Sequence, residues 1–326
     1  MVFAEGPKRI PTYKNAVLIY NPAARLVRRR SEVYLRRLVD RLRAHGHVVR
    51  SQQTRGPASA ALIAREASDA GADLILVAGG DGTVNEALGG MVYSAVPLGL
   101  IPGGTGNVLA AELGLTVDPE ALADQLSRLV PRRIAVGCLR AAQAAPRYFL
   151  LMAGVGFDAL IVRHVNPELK ARLGKLSYWI TSWAHIARRL VEFEVEACGK
   201  SYRASFALVS RVRNYGGDLE ICRGASLLED EFEVALLEGE YAVRYLTYFA
   251  GILAGKLASV RGARLLRARS LRFNAPPGHP IYVQVDGEKA GQLPATIELA
   301  PGAATLLMPQ SYIDRVSGSH AGLAAV

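Results

Sequence analysis

The stretch Gly79-Gly80-Asp81-Gly82-Thr83-Val84-Asn85-Glu86 combines residue types that suit phosphate chemistry. Glycine lets the backbone approach an anion, and the free N–H groups of a helix start meet negative charge. Asp81 is the unexpected member. A carboxylate beside phosphates adds negative charge, so it requires either a cation between them or a duty in holding the loop in shape. The combination points to a magnesium nucleotide and phosphoryl transfer rather than passive dinucleotide binding. A second turn, Pro102-Gly103-Gly104-Thr105-Gly106-Asn107, repeats the glycines with Thr and Asn. Far downstream, Val285-Asp286-Gly287-Glu288 offers two carboxylates. In a strand, Asp286 and Glu288 share one face, and like charges there separate into an orienting or metal role and a base role. Asp-Gly is also a strong hairpin signal.

These residues need elements to aim them. Leu74–Ala78 is an apolar run that predicts a buried parallel strand, and Asn85-Glu86-Ala87-Leu88 predicts the first turn of a helix. Leu98–Ile101 and Val108–Leu113 repeat the pattern around the second turn. Upstream, the strand Ala16–Tyr20 leads through Asn21-Pro22-Ala23-Ala24 to a helix from about Ser31 to Ala44, with Leu35, Leu38, Val39 and Leu42 at helical spacing. Three such turns fall at the carboxyl edge of one parallel sheet, where open α/β folds bind ligands. Strand Val48–Gln52 and helices Ser59–Ala70 and Pro119–Leu129 continue the alternation to about Ala135. Beyond Pro131-Arg132-Arg133, strand-like runs such as Leu265–Asn274 and Thr296–Leu299 follow one another, interrupted by helices at Pro167–Leu190 and Ala242–Ala258. The expectation is an α/β nucleotide-binding domain over residues 1–135 with a parallel sheet, then an antiparallel β-rich domain over residues 136–308.

The 326 residues suffice for two cores, since single cores stop growing near ~250–300 residues. Net charge is +10, with Arg25, Arg28, Arg29, Arg30, Arg36, Arg37, Arg41 and Arg43 crowded early and no acid between Glu240 and Asp286. Such clusters are either a solvated face or an attraction to an anionic bilayer, where each basic residue contributes on the order of 1 kcal/mol. Nucleic acid is disfavoured, because no interleaved aromatics or recognition motif accompany the charge. Cys138, Cys198 and Cys222 show no metal-ligand spacing, and the histidines are unclustered, which argues against zinc and hydrolase chemistry. Met1–Lys14 has no apolar signal core and no run approaches a membrane span, so a cytoplasmic protein, peripheral on the inner membrane face, is expected.

Taken together, these motifs resemble the diacylglycerol kinase catalytic-domain family, which includes bacterial lipid kinases and the sphingosine and ceramide kinases. Asn21-Pro22 matches its first turn, although Ala23-Ala24 replaces the usual Ser-Gly; Thr54 falls at its nucleotide-contacting Thr. Gly79–Asn85 matches its GGDGTxN loop in full, and Thr105 and Asn107 are in register in the next turn, with Val108 where an Asp often follows. Gly154-Val155-Gly156-Phe157-Asp158, Asn214-Tyr215-Gly216-Gly217 and the terminal Asp286-Gly287-Glu288 complete the order from Asn15 to Met308.

The resemblance implies a β-sandwich second domain, a tail (residues 309–326) that packs back on the first, and ATP held by Asn21, Pro22, Thr54, Gly79, Gly80, Asp81, Gly82, Thr83, Asn85, Thr105 and Asn107. It implies Mg2+, with Glu288 as proton acceptor supported by Asp286, and Asp81 as the third catalytic carboxylate. No Walker lysine is present, so phosphate charge falls to backbone N–H groups, magnesium and an arginine, Arg25 being one choice. A further Mg2+ site of the bacterial members maps to Glu229, Asp230 and Glu231 without its glycine; a cation site and a solvated acidic turn both fit. Asp158 could face the acceptor, and Leu176–Trp183, with both tryptophans, suits a bilayer interface or a buried helix. The resulting expectation is transfer of the ATP γ-phosphate to a lipid hydroxyl, most simply diacylglycerol, at an anionic membrane surface. An NAD kinase-like phosphotransferase and a non-catalytic nucleotide- or membrane-binding module are the alternatives. A homodimer is left open.

Overall fold

The structure, a computed structural model, describes residues 12–142, 144–156, 190–215 and 219–323. Its first half alternates as the sequence predicts: β1 (Ala16–Tyr20), α1 (Arg25–Ala44), β2 (Val49–Gln53), α2 (Ser59–Asp69), β3 (Leu74–Gly79), α3 (Asp81–Met91), β4 (Pro97–Pro102), α4 (Val108–Leu113) and α5 (Pro119–Leu126). The strands run parallel in the order β2-β1-β3-β4. β3 is buried along its whole length, as a strand covered by helices on both faces must be. On one face Tyr34, Leu38 and Leu42 of α1 pack with Leu122 and Leu126 of α5; on the other, α2 and α3 supply Ile63, Ala64, Val84 and Leu88. Two helices begin earlier than their patterns suggest, α1 at Arg25 and α3 at Asp81. Asp81, Gly82 and Thr83 therefore lie inside the first turn of α3 rather than in a loop before it.

The second half contains β5 (Val130–Ala141), β6 (Arg147–Phe149), β7 (Met152–Gly156), β8 (Phe193–Ala197), β9 (Lys200–Ala204), β10 (Phe206–Ser210), β11 (Asn214–Tyr215), β12 (Leu219–Glu220), β13 (Phe232–Leu237), α6 (Tyr245–Leu253), β14 (Ala263–Ala268), β15 (Ser270–Asn274), β16 (Tyr282–Val285), β17 (Glu288–Gln292), β18 (Ala295–Met308) and α7 (Gln310–Leu323). One sheet runs β14-β13-β10-β7-β16-β17; the other continues from β4 through β18 to β15, β8 and β9, with β5 along β18 and β6 beside β5. Their facing residues, including Phe149, Phe193, Phe232 and Phe273, make the core of a sandwich. The run Leu265–Asn274, expected as one strand, divides at Arg269 into β14 and β15, which belong to different sheets. The helix expected over Ala242–Ala258 is shortened to α6 between two 3-10 turns.

The fold thus joins an α/β half with a mostly parallel sheet to a β-sandwich, and β18 is what joins them. Its early residues pair antiparallel with β15, Thr305 and Leu306 pair parallel with β4, and β5 runs antiparallel along both parts. The register shifts between Ala300 and Ala304, where Gly302 takes a left-handed φ of 54°. α7 then reaches both halves: Leu227 N–H donates to Tyr312 Oη (3.1 Å), and Arg315 Nη2 donates to the Glu112 carbonyl on α4 (3.0 Å). Among the described residues no helix is long and apolar enough to cross a membrane. Asp158, Leu176–Trp183, Gly216 and Gly217 lie outside the described residues.

Candidate active site

The two glycine turns are built into each other. Gly103 N–H donates to the Gly79 carbonyl (2.8 Å). A Cβ on Gly104 would sit 2.5 Å from Gly80 Cα, and one on Gly103 2.9 Å from Gly79 N, so side chains are excluded by backbone contact. Asn107 closes the second turn from a left-handed conformation (φ 47°), accepting from Gly104 N–H (2.8 Å) and donating to Gly104 O (3.0 Å). Asp81 then clamps the pair: Oδ2 accepts from Val108 N–H (3.0 Å) and Oδ1 from Leu109 N–H (3.2 Å). Its carboxylate fills the N-terminus of α4. Of the two duties that Asp81 could have, the loop-shaping one is visible in this geometry. The N-terminus of α3 is the remaining helix start beside the glycines, with Gly80 at its cap.

The flanking residues gather at the same sheet edge. Asn21 Nδ2 donates to Thr83 Oγ1 (3.2 Å), and Asn21 Oδ1 accepts from Ala23 N–H (2.9 Å), shaping the turn after β1. Thr83 in turn lies against Gly79, where a Cβ would meet the Thr83 Cβ at 2.7 Å. Thr54 is buried just after β2, its N–H donating to the Tyr20 carbonyl (2.9 Å). Pro22 and Thr105 are exposed at the tips of their turns. Asn85 turns away from the glycines, and its Nδ2 donates to the Tyr148 carbonyl on β6 (3.0 Å), tying α3 to the second half.

The other pair of carboxylates comes from the β16–β17 hairpin. Val285 pairs with Glu288, and Asp286 and Gly287 take left-handed φ of 48° and 81°, the two-residue turn that Asp-Gly favours. This corrects the strand-face reading: Asp286 is a turn residue, so the carboxylates are separated by the turn rather than aligned by alternation. Asp286 Oδ1 accepts from Met152 N–H (2.8 Å), while Oδ2 is buried without a hydrogen-bond partner. Burial, together with the charge of Asp81, raises the Asp286 carboxyl to about 7. Glu288 by contrast is exposed, and it overhangs the first turn of α3: a Cβ on Gly82 would lie 2.9 Å from its Oε1. Arg147 on β6 holds it there, with Nη2 on Glu288 Oε2 (3.0 Å) and Nη1 on the Lys289 carbonyl (2.5 Å). Nothing in the sequence marks Arg147; its position depends on β6 lying beside the hairpin.

Glu229, Asp230 and Glu231 do not converge into a ligand set, and no group of three potential ligands does so among the described residues. Glu229 lies 3.9 Å from Arg267 and Glu231 3.8 Å from Arg269. The loop's carbonyls point inward instead, to the guanidinium of Arg211, which is fully buried. Burial pulls that guanidinium down to about 10, still charged at neutral pH.

Comparison with known proteins agrees with this architecture. Residues 15–139 match the family described as Diacylglycerol kinase catalytic domain, and residues 152–308 match the YegS C-terminal NAD kinase beta sandwich-like domain. A Mycobacterium tuberculosis protein named Diacylglycerol kinase is 30% identical over 282 residues, covering 82% of this chain and 90% of that one. A Bacillus subtilis Diacylglycerol kinase is 28% identical (86% and 92% covered), and a Probable lipid kinase YegS-like of Cronobacter sakazakii is 30% identical (84% and 91%). The crystal structure of a diacylglycerol kinase from Bacillus anthracis superposes with a TM-score of 0.74 at 21% identity, covering 92% of this chain and 99% of that one, a likeness of fold. The family match and these relatives define a kinase of the lipid-kinase class, with ATP as co-substrate. The chain belongs to the diacylglycerol kinase family, with a YegS-type second domain.

Proposed function

We propose that this protein transfers the γ-phosphate of ATP to the hydroxyl of diacylglycerol or a similar lipid bearing one free hydroxyl. One observation carries the reading: Glu288 is the exposed carboxylate over the first turn of α3, while Asp81 is engaged with α4 and the Asp286 carboxyl turns inward on Met152 N–H. With the triphosphate along the two turns, a lipid hydroxyl entering from the sandwich side hydrogen-bonds to Glu288. Its oxygen attacks the γ-phosphorus as the bond to the bridging oxygen breaks; Glu288 takes the proton and ADP leaves. Arg147 keeps Glu288 aimed and adds positive charge near the transferring group, in a site that has no P-loop lysine.

Magnesium fits this donor set. It keeps several waters and needs one or two carboxylates at most. Each Asp81 oxygen accepts one N–H and retains a lone pair, so Asp81 would hold the ion. When bound, Mg2+ neutralises phosphate charge.

The substrate class also calls for a membrane, and α6 supports a docking face. Leu246, Ala250 and Leu253 share one exposed stripe, with exposed Tyr241 and Val243 just before it, while Tyr248, Gly251 and Ile252 are buried. Exposed Lys256 and Arg261 border this stripe, in a segment without acids from Tyr241 to Val285. An apolar stripe rimmed by cations suits an anionic bilayer.

The test is transfer of label from γ-labelled ATP to a panel of diacylglycerol, monoacylglycerol, sphingosine and ceramide in anionic vesicles, with Glu288→Gln as control. Labelled lipid from the wild type and none from the variant supports the reading. Labelling of soluble NAD instead would move the assignment to the NAD kinase-like alternative.

A further inference from the structure

Arg211 follows β10 directly and its side chain is 0% exposed. Four backbone carbonyls converge on its guanidinium. Nη2 donates to Leu227 O (2.7 Å) and to Ala135 O on β5 (3.1 Å), and Nη1 donates to Glu229 O and to Glu231 O (3.4 Å). Backbone carbonyls are the ligands that proteins give to hard cations, and an arginine is a permanent cation whose fork can meet several of them at once. Of the loop's carboxylates, Glu229 and Glu231 lie within 4 Å of Arg267 and Arg269, while the charges of Asp230 and Glu229 also favour the charged form of Arg211.

We propose that Arg211 is a built-in cation that takes the place of the divalent ion the resemblance implies beside Glu229, Asp230 and Glu231. The loop 227–231 therefore acquires its shape without metal. The consequence extends to the nucleotide half. Leu227 N–H anchors Tyr312 of α7, and α7 reaches α4, whose other end Asp81 clamps. Metal dependence of this protein is then confined to the nucleotide, and the coupling between its halves is indifferent to divalent ions. The inference concerns folding and metal binding, so it stands or falls apart from the identity of the lipid.

Melting of the nucleotide-free protein, with and without EDTA or millimolar Mg2+ or Ca2+, is the first measurement; the melting temperature should stay within about a degree throughout. Arg211→Ala should melt roughly 10 °C lower, because buried carbonyls lose their partner. Millimolar guanidinium, far below denaturing levels, should restore part of that loss in Arg211→Ala and leave the wild type unchanged. The triple variant Glu229→Gln, Asp230→Asn, Glu231→Gln should melt close to the wild type and be equally indifferent to EDTA. The inference is overturned if EDTA lowers the wild-type melting temperature by several degrees and the triple variant abolishes that response, or if Arg211→Ala melts like the wild type. Should Arg211→Ala fail to fold, Arg211→Lys decides: a partial loss supports the inference, and wild-type melting overturns it.

Discussion

The two sides of the proposed active site are made by different physics. The phosphate side is backbone packed on backbone: Gly79 against Gly103, Gly80 against Gly104, with Asn107 and Asp81 as fasteners whose partners lie within 28 residues. The proposed acceptor side rests on Asp286, held by Met152 N–H across 134 residues, and on Glu288, held by Arg147 across 141. Backbone sites tolerate few residue types and so leave a fixed local pattern. Sites assembled by long-range register leave little trace beyond a short turn.

That contrast can be broken or sharpened by substitution. The largest effect is expected for Glu288→Gln: kcat should fall about 10³-fold, as for removal of a general base, with melting unchanged because Glu288 is exposed. A fall of less than threefold would show that the acceptor side uses another base. Gly104→Ala should come next. Its methyl cannot fit 2.5 Å from Gly80 Cα, so the turns part and ATP affinity should drop about 10²-fold while the KM for lipid is kept. A weaker lipid KM with normal ATP binding would erase the division between the sides. Arg147→Met should lower kcat about tenfold through a less restrained Glu288, with Arg147→Lys recovering part of it.

Asp286→Asn comes last, and it is read through the pH dependence of melting. The folded carboxyl titrates near 7, above an unfolded value near 4. Between those values the unfolded state loses its proton while the folded state keeps it, so stability falls as pH rises from about 4 to about 7 and levels off beyond. Asn stays neutral and tolerates the positive φ, so the variant should melt a few degrees higher than wild type at pH 8 and match it near pH 4. An unchanged pH profile of melting would mean that the orphaned Oδ2 finds water.

The same contrast explains what could be read in advance. The parallel strands and the two glycine turns were legible because glycine, Asn107 and buried apolar runs are demanded by local geometry. The clamp role of Asp81 was open, since only the placement of α4 brings the N–H groups of Val108 and Leu109 to its carboxylate. The orientation of Asp286 stayed open between strand and hairpin, because both share the same four letters until β7 supplies Met152 as partner. Arg147 and Arg211 were invisible: isolated arginines in a chain of Lys+Arg 39 carry no signal until the strands around them are paired. The division at Arg269 was hidden for a similar reason, since its two flanks are equally strand-like and separate only because they join different sheets.

β18 has a consequence for how the polypeptide is born. Beside β4, the edge of the parallel sheet is completed by Thr305 and Leu306, near the end of the chain. A ribosome delivers the α/β half first, yet that half waits with an open sheet edge until the sandwich strands and then β18 have followed it. Interrupted or truncated translation would therefore release a sticky fragment rather than a working half-enzyme.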